Sequence, residues 1–290
     1  MVQILNDLLN WGKETLKSAD IDDYSISAEL ILRSILNVSR SQLILSLNNP
    51  VPPEIDSKYK ILIAKRASHV PLQHLIGEVE FYNIKLKIDR RALIPRPETE
   101  ILVETVLKKI GNIRSPKILD VGTGSGNIAI ALAKNMPGSQ VTGIDISRDA
   151  LDLAVTNAKL NRVEKQINLI QGDIFNIDFA GSLGRFDCVV SNPPYVGLSD
   201  KEHLQPEVAK FEPSEAVFAG NDPLIFYRTI IGNISYILRT GGLLAFEVGL
   251  GQAESVANLM APAFDDITTT KDLTGIERVV TGVYAGLDKG

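Results

Sequence analysis

The sequence predicts an α/β protein preceded by a small all-helical section, and three observations carry that expectation. Helical and strand-like patterns alternate from residue 99 to Met260, the order of a sheet layered with helices. Before about residue 70 the apolar residues recur only at helical spacing, and between residues 79 and 94 they alternate as in a half-buried strand. A chain of 290 residues is long enough for one large and one small domain, each with its own core. Its net charge of −5 argues against holding nucleic acid through a broad basic surface, and leaves a local basic patch open.

Taken in order, Ile4, Leu8 and Trp11 form one helical stripe, Ala28, Ile31, Leu32 and Ile35 a second, and Ile55, Tyr59, Leu62 and Ala64 border a third. Breaks fall at Asp20–Asp23 and Asn48–Pro53, so a small helical bundle is expected. Phe81, Ile84, Leu86 and Ile88 then alternate in a hairpin that links the bundle to the sheet domain. The expected divisions are 1–75 for the bundle, 76–98 for the hairpin linker and 99–290 for the sheet domain. Strands follow from Lys117 into Gly122, over Gln140–Ile144, Ile167–Gln171, Phe186–Ser191 and Leu243–Gly249, with a last pair around 266–271 and 278–284. Cys188, the single cysteine, excludes an internal disulfide, fits a reducing compartment and reads as core packing, since nothing nearby in sequence lowers its pKa. His69, His74 and His203 have no metal-ligand spacing with one another or with Cys188, so no metal is expected. Asp7 and Asn10 interrupt the first apolar positions, and no run suits a secretory core or a membrane span; a cytoplasmic protein without membrane contact is expected.

The candidate chemistry gathers at strand ends. Asn192-Pro193-Pro194-Tyr195 closes a continuously apolar run, and its two prolines forbid both helix and further ladder pairing. The Asn192 carboxamide and the Pro193 carbonyl are thereby left at the carboxyl end of a central strand, as a grip for a planar NH2 group. The plain alternative is a rigid turn. Gly122-Thr123-Gly124-Ser125-Gly126 lets backbone approach a ligand ahead of a helix N-terminus. Gly124, Gly126 and Ala129 also satisfy the loose dinucleotide pattern, with Asp145 nineteen residues past Gly126, so on this segment a nicotinamide enzyme stays open. Asp145 is placed to accept from ribose hydroxyls, and Ser147 is better placed to cap the next helix. Asp173 can accept from an adenine amine while Ile174 or Phe175 packs on the ring; Asp-Ile-Phe equally suits an ordinary surface loop.

The order of these strand ends resembles the class I S-adenosylmethionine-dependent methyltransferases, within them the branch that acts on planar NH2 groups. Pro71–Tyr82 and Leu93–Glu100 are similar to the linker signatures of the HemK/PrmC family, the protein-glutamine methyltransferases that modify peptide chain release factors. Phe211-Glu212-Pro213, Gly220, Phe226-Tyr227, Leu243–Gly249 and Asp272–Val280 match as well. The resemblance covers nearly the whole chain from residue 71, and the N-terminal section agrees in length and helical character. It departs at Ile174, where a Trp is common. It implies a Rossmann-like domain with a mostly parallel seven-stranded sheet and one antiparallel strand near its C-terminal edge. It further implies methyl transfer from S-adenosyl-L-methionine, leaving S-adenosyl-L-homocysteine, to the N5 of the glutamine in a Gly-Gly-Gln motif of release factors. Gly122, Thr123, Gly124, Ser125, Gly126, Asp145, Asp173, Ile174, Phe175 and Asn192 are the implied cofactor residues. Asn192, Pro193, Pro194 and Tyr195 are the implied substrate residues, with Asn192, Pro193 and Tyr195 at the reacting amide and the bundle recognising the substrate protein.

Three other functions compete. A ribosomal-protein glutamine methyltransferase differs only inside the family, and Arg96-Pro97-Glu98-Thr99 favours the release-factor branch by resemblance alone. A DNA amine methyltransferase would share the grip and would need a basic target-recognition insert, which is not evident; no stable nucleic acid binding is expected. A binding module on an inactive fold would not need Gly122, Gly124, Gly126, Asp145 and Asn192 intact. Arg96 and Glu98 read as a salt bridge or helix cap, and Glu247, outside the catalytic set, as a residue able to orient the Asn192 loop or to face the cofactor carboxylate region only through water.

Overall fold

A computed structural model describes residues 3–286 and separates into two compact units. The first runs to Glu78 and includes Gln205–Phe211; the second holds Val79–Leu204 and the chain from Glu212 onward.

In the first unit α1 (Leu5–Lys17) buries Leu5, Leu8, Leu9 and Leu16, and α2 (Tyr24–Leu36) buries Ala28, Ile31 and Leu32. A reciprocal cap opens α3 (Arg40–Ser46): Ser39 Oγ accepts from the Gln42 N–H at 3.2 Å, and Gln42 Oε1 from the Ser39 N–H at 2.8 Å. Proline begins α4 (Pro53–Ala67), and Gly77 at φ 80° ends α5 (Leu72–Ile76). Two of the expected stripes shift. Trp11 is 39% exposed because Tyr59, fully buried, fills the space beside Gly12 and donates to the Ala28 carbonyl at 3.1 Å. The buried line of α4 is Tyr59, Ile63 and Arg66, leaving Ala64 outside. Arg66 is 4% exposed and donates to Ser27, Asp23, Val70 and Glu207, the last on α10 (Pro206–Phe211), so one guanidinium ties this short helix into the unit.

From Val79 the second unit takes up a hairpin, β1 (Glu78–Phe81, its first residue the last of the first unit) and β2 (Ile84–Lys87), turning through Tyr82 and Asn83 at φ 43° and 62°. Glu100 in α6 (Pro97–Ile110) accepts from the Tyr82 N–H at 3.0 Å. There follow β3 (Lys117–Val121), α7 (Asn127–Asn135), β4 (Gln140–Asp145), α8 (Arg148–Leu160), β5 (Ile167–Gln171), α9 (Ile177–Ser182) and β6 (Phe186–Ser191). After a small pairing of β7 (Val196–Gly197) with β8 (Phe218–Gly220), across α11 (Ser214–Val217), the chain runs through α12 (Ile225–Gly232) and α13 (Ile234–Ile237). It ends with β9 (Leu238–Glu247), α14 (Ala253–Met260), β10 (Phe264–Lys271) and β11 (Glu277–Tyr284).

The seven-stranded sheet has the order β10-β11-β9-β6-β3-β4-β5, and only β11 runs against its neighbours. Alternate residues of the central strands feed two cores. Ile118, Cys188, Val190, Leu243 and Ala245 pack with α6 and α7, while Leu119, Val189, Leu244 and Phe246 pack with α12, α13 and α14. Cys188 is fully buried and its thiol pKa is pushed up by that burial. Chain order reverses between β3 and β6, and the crevice at their carboxyl ends is where such sheets take ligands.

Candidate active site

A cavity of about 310 Å³ opens at that crevice, and its walls lie entirely in the second unit. The glycine loop after β3 is fixed by its own main chain: the N–H groups of Gly122 and Thr123 both donate to the Ile144 carbonyl at 2.9 Å. Its glycines divide by task. An added Cβ at Gly122 meets nothing within 4 Å and at Gly124 only Ala92, so both present bare backbone to the cavity at φ 73° and 54°. Gly126, at φ 82°, lies instead against Ile130 and Ala154 at 3.0 and 3.1 Å and does not line the cavity.

Asp145 at the end of β4 takes the Gly124 N–H on Oδ2 at 2.8 Å and the Ser147 N–H on Oδ1 at 2.9 Å. Burial raises its pKa, and these two bonds oppose the rise. A carboxylate has about four acceptor sites, so acceptor capacity remains beyond those bonds and the approach of the Ile146 N–H. The capping task falls to Ser147, whose Oγ accepts from the Ala150 N–H at 3.3 Å. After β5, Asp173 Oδ1 caps the Phe175 N–H at 2.9 Å; Ile174 is 5% exposed and Phe175 45%, its ring edge-on to Phe226 at 5.1 Å. Thr123 and Ser125 are buried in the cavity wall, and Ser125 Oγ has no hydrogen-bond partner among the described residues.

Asn192, Pro193 and Pro194 line the same cavity as the glycine loop, at the end of the strand that pairs with β3 through Val121 and Ser191. Asn192 Nδ2 donates to Thr99 Oγ1 at 3.1 Å, while among the described residues none donates to its Oδ1 or to the Pro193 carbonyl. Both acceptors are free for a ligand NH2. Tyr195 stands apart: it does not line the cavity, its ring packs into the core beside Gly249, and its carbonyl accepts from Gln252 Nε2 at 3.1 Å. Burial, then the nearby Glu247, pushes its phenol up to about 12. Of the thirteen residues expected at the site, the cavity gathers eleven, all but Gly126 and Tyr195.

Family models match twice, as a PrmC N-terminal domain over residues 7–77 and a methyltransferase domain over residues 114–259. The release factor glutamine methyltransferase of Deinococcus radiodurans is 36% identical across 97% of this chain and 99% of its own length. That of Geobacter sulfurreducens is 37% identical over 96% of each chain, and that of Thermodesulfovibrio yellowstonii 43% identical over 87% of this chain and 90% of its own. This chain belongs to the release factor glutamine methyltransferase family. It is a methyltransferase. Among solved structures the hMettl16 catalytic domain aligns with a TM-score of 0.56 at 17% identity, over 79% of this chain and 83% of that one, a likeness of fold alone.

Several residues of this family member have places that sequence reasoning missed. Asp120, fully buried in β3, accepts from the Thr123 hydroxyl at 2.7 Å and the Ala129 N–H at 3.2 Å, and burial lifts it to about 7. Its spacing of three from Thr123 was the available signal. Arg96 pairs with the buried Glu212 and not with Glu98, so the expected salt bridge exists with a partner 116 residues away. Thr99, 1% exposed, joins Glu247, 3% exposed, beside Asn192; Glu247 is expected near the Asn192 loop from its strand end, and nothing in the sequence brings Thr99 to it.

Proposed function

We propose that this enzyme transfers a methyl group from S-adenosyl-L-methionine to the side-chain amide nitrogen of the Gly-Gly-Gln glutamine in peptide chain release factors. The observation that carries the reading is the pair of acceptors without a donor among the described residues, Asn192 Oδ1 and the Pro193 carbonyl, on residues that line one cavity with the bare glycine backbone of Gly122 and Gly124. The cavity suits the cofactor: its volume of about 310 Å³ falls within the roughly 300–1,000 Å³ of small-molecule sites. Gly122 and Gly124 would lie along the methionine portion, Asp145 has lone pairs for the ribose hydroxyls, and Ser125 Oγ needs a partner. Asp173, Ile174 and Phe175 would take the adenine.

When bound, the cofactor supplies an electrophilic methyl group and departs as a neutral thioether. A carboxamide nitrogen is a poor nucleophile because its lone pair is delocalised into the carbonyl. Asn192 Oδ1 and the Pro193 carbonyl, each taking one N–H, turn that lone pair toward the methyl and favour positive charge as it builds on nitrogen. Orientation of this kind is worth up to about 7–11 kcal/mol, and acceptors aimed at developing charge add ~3 kcal/mol each, by the logic of an oxyanion hole with its signs reversed. The nitrogen becomes strongly acidic as the new bond forms, so its proton leaves to solvent without a dedicated base. A glutamine side chain is small and common, so choice of substrate must come from surface remote from the amide, and the helical unit of residues 3–78 is proposed to supply it. Work on release factors puts the enzyme in the cytoplasm; no helix among the described residues is long and apolar enough to cross a membrane.

The test is methyl transfer from labelled S-adenosyl-L-methionine to purified release factor, then mass spectrometry of the Gly-Gly-Gln peptide. One methyl on the glutamine is expected. Turnover on a ribosomal protein with none on release factors would overturn the reading.

A further inference from the structure

We propose that Thr99 and Glu247 are positioning residues that decide which end of the Asn192 carboxamide faces the reacting amide. The inference rests on the amide-grip reading above. Parallel pairing sets Ser191 of β6 against Phe246 of β9, so Asn192 and Glu247 follow side by side at the two strand ends. Thr99, in the first turn of α6, completes the group: Asn192 Nδ2 donates to its Oγ1 at 3.1 Å, and the Thr99 and Asn192 side chains lie close enough to the Glu247 carboxyl to favour its ionised form. Glu247 is 3% exposed, and its Oε2 has no partner among the described residues. Only Asn192 and Thr99 of the three line the cavity, so Glu247 acts through them.

The logic is one of hydrogen-bond polarity. A carboxamide has nearly the same shape after a flip that exchanges its oxygen for its NH2. In the flipped state Asn192 would offer donors to a substrate NH2, and the grip would repel what it must hold. Thr99 alone cannot forbid this, because a hydroxyl both donates and accepts. An ionised carboxylate only accepts. In its ionised form, which prevails above the value near 7 to which burial lifts it, Glu247 therefore draws the Thr99 hydrogen and the Asn192 NH2 toward itself, which leaves Asn192 Oδ1 for the cavity. The charged groups that bear on Glu247 are Glu98 and Arg278, with the phenols of Tyr195 and Tyr227 beside it; Arg278 favours the ionised form and Glu98 opposes it.

The experiment compares Glu247→Gln, Thr99→Val and Thr99→Ser with the parent, each alone and in the Asn192→Ala background, measuring kcat on release factor and the dissociation constant of S-adenosyl-L-methionine. Glutamine can turn either face to Thr99, so Glu247→Gln should lower kcat at least tenfold with cofactor affinity within threefold. Thr99→Val should do the same, and Thr99→Ser should recover most of the loss. In the Asn192→Ala background neither change should lower kcat further, a result that a merely structural role would not produce. Glu247→Gln within twofold of the parent kcat, or an undiminished loss without Asn192, would overturn the inference while the grip reading survives. Should Glu247→Gln fail to fold, the threonine pair decides by the same criteria. Asn192→Ala with parental kcat removes the grip reading itself, and this inference with it.

Discussion

The two loops that line the cavity, one after β3 and one after β6, are built by different means. The glycine loop is held by bonds within and just beyond β3 and β4: Gly122 and Thr123 to Ile144, Gly126 to Thr123, and Gly124 to Asp145 across 21 residues. The Asn192 loop is held by side chains that arrive from far along the chain, Thr99 from 93 residues away and Gln252 from 57 residues beyond Tyr195. The first loop is a local backbone structure with a fixed shape; the second is an assembly whose shape depends on the whole sheet being in register. Substitutions should therefore separate binding from turnover along this divide.

The largest effects test that divide directly. Asn192→Ala removes an acceptor that matters most as charge develops on nitrogen, so kcat should fall at least a hundredfold while cofactor affinity stays within about fivefold. Gly124→Val should do the reverse and abolish measurable cofactor binding. A side chain there is strained at φ 54° and projects toward the cavity. Calorimetry on both variants gives the comparison, and equal losses of affinity would erase the distinction between the two loops. Gly126→Ala is the control within the loop. Its Cβ presses on Ile130 and Ala154, so the expected result is a loss of about 1–2 kcal/mol of stability with cofactor affinity nearly unchanged.

A smaller effect is expected at Asp145. Removal of its carboxylate by Asp145→Ala should cost about 1.5–3 kcal/mol of cofactor affinity, the range for hydrogen bonds to a charged group, and should loosen Gly124, whose N–H it accepts. Isothermal titration reads the first effect and hydrogen exchange at Gly124 the second. Affinity unchanged in this variant would take the ribose assignment away from Asp145.

Legibility in the sequence follows the same divide. The strand ends were readable because each is announced by residues next to it: glycines where positive φ is needed, two prolines where pairing must stop, a serine three residues before the N–H it caps. The pattern of apolar runs licensed α/β only; family resemblance supplied a mostly parallel seven-stranded sheet with one antiparallel strand, and the strand order came from the structure. Sequence spacing could not distinguish Gly126 from Gly124, since the difference lies in Ala154, 28 residues downstream, which packs against one and not the other. Tyr195 was expected at the reacting amide because it follows Asn-Pro-Pro, yet the turn carries its ring into the core. Trp11 was expected inside because it falls on one helical stripe with Ile4 and Leu8, and Gly12, which admits Tyr59, was the overlooked sign of what takes that space.

The smallest predicted effect concerns two buried carboxyls, one at each loop. Burial lifts Asp120 from 3.8 and Glu247 from 4.5, each to about 7. A carboxyl whose pKa is higher folded than unfolded binds more protons in the folded state between those values, so its contribution to stability falls as pH rises from about 4 to 7 and is level above that. Asp120 offers the cleaner test, because both of its bonds, from Thr123 and Ala129, reach the same oxygen, Oδ2, while Oδ1 has no partner among the described residues. Asp120→Asn can keep both bonds on its remaining oxygen and sets an uncharged NH2 where the protonated acid would carry its hydrogen. Its Tm should therefore decline less than the parent's between pH 5 and 7.5, and Glu247→Gln should flatten the decline in the same direction. If the double variant declines as steeply as the parent, neither carboxyl titrates in this window, and Glu247 is ionised throughout the range in which the enzyme works.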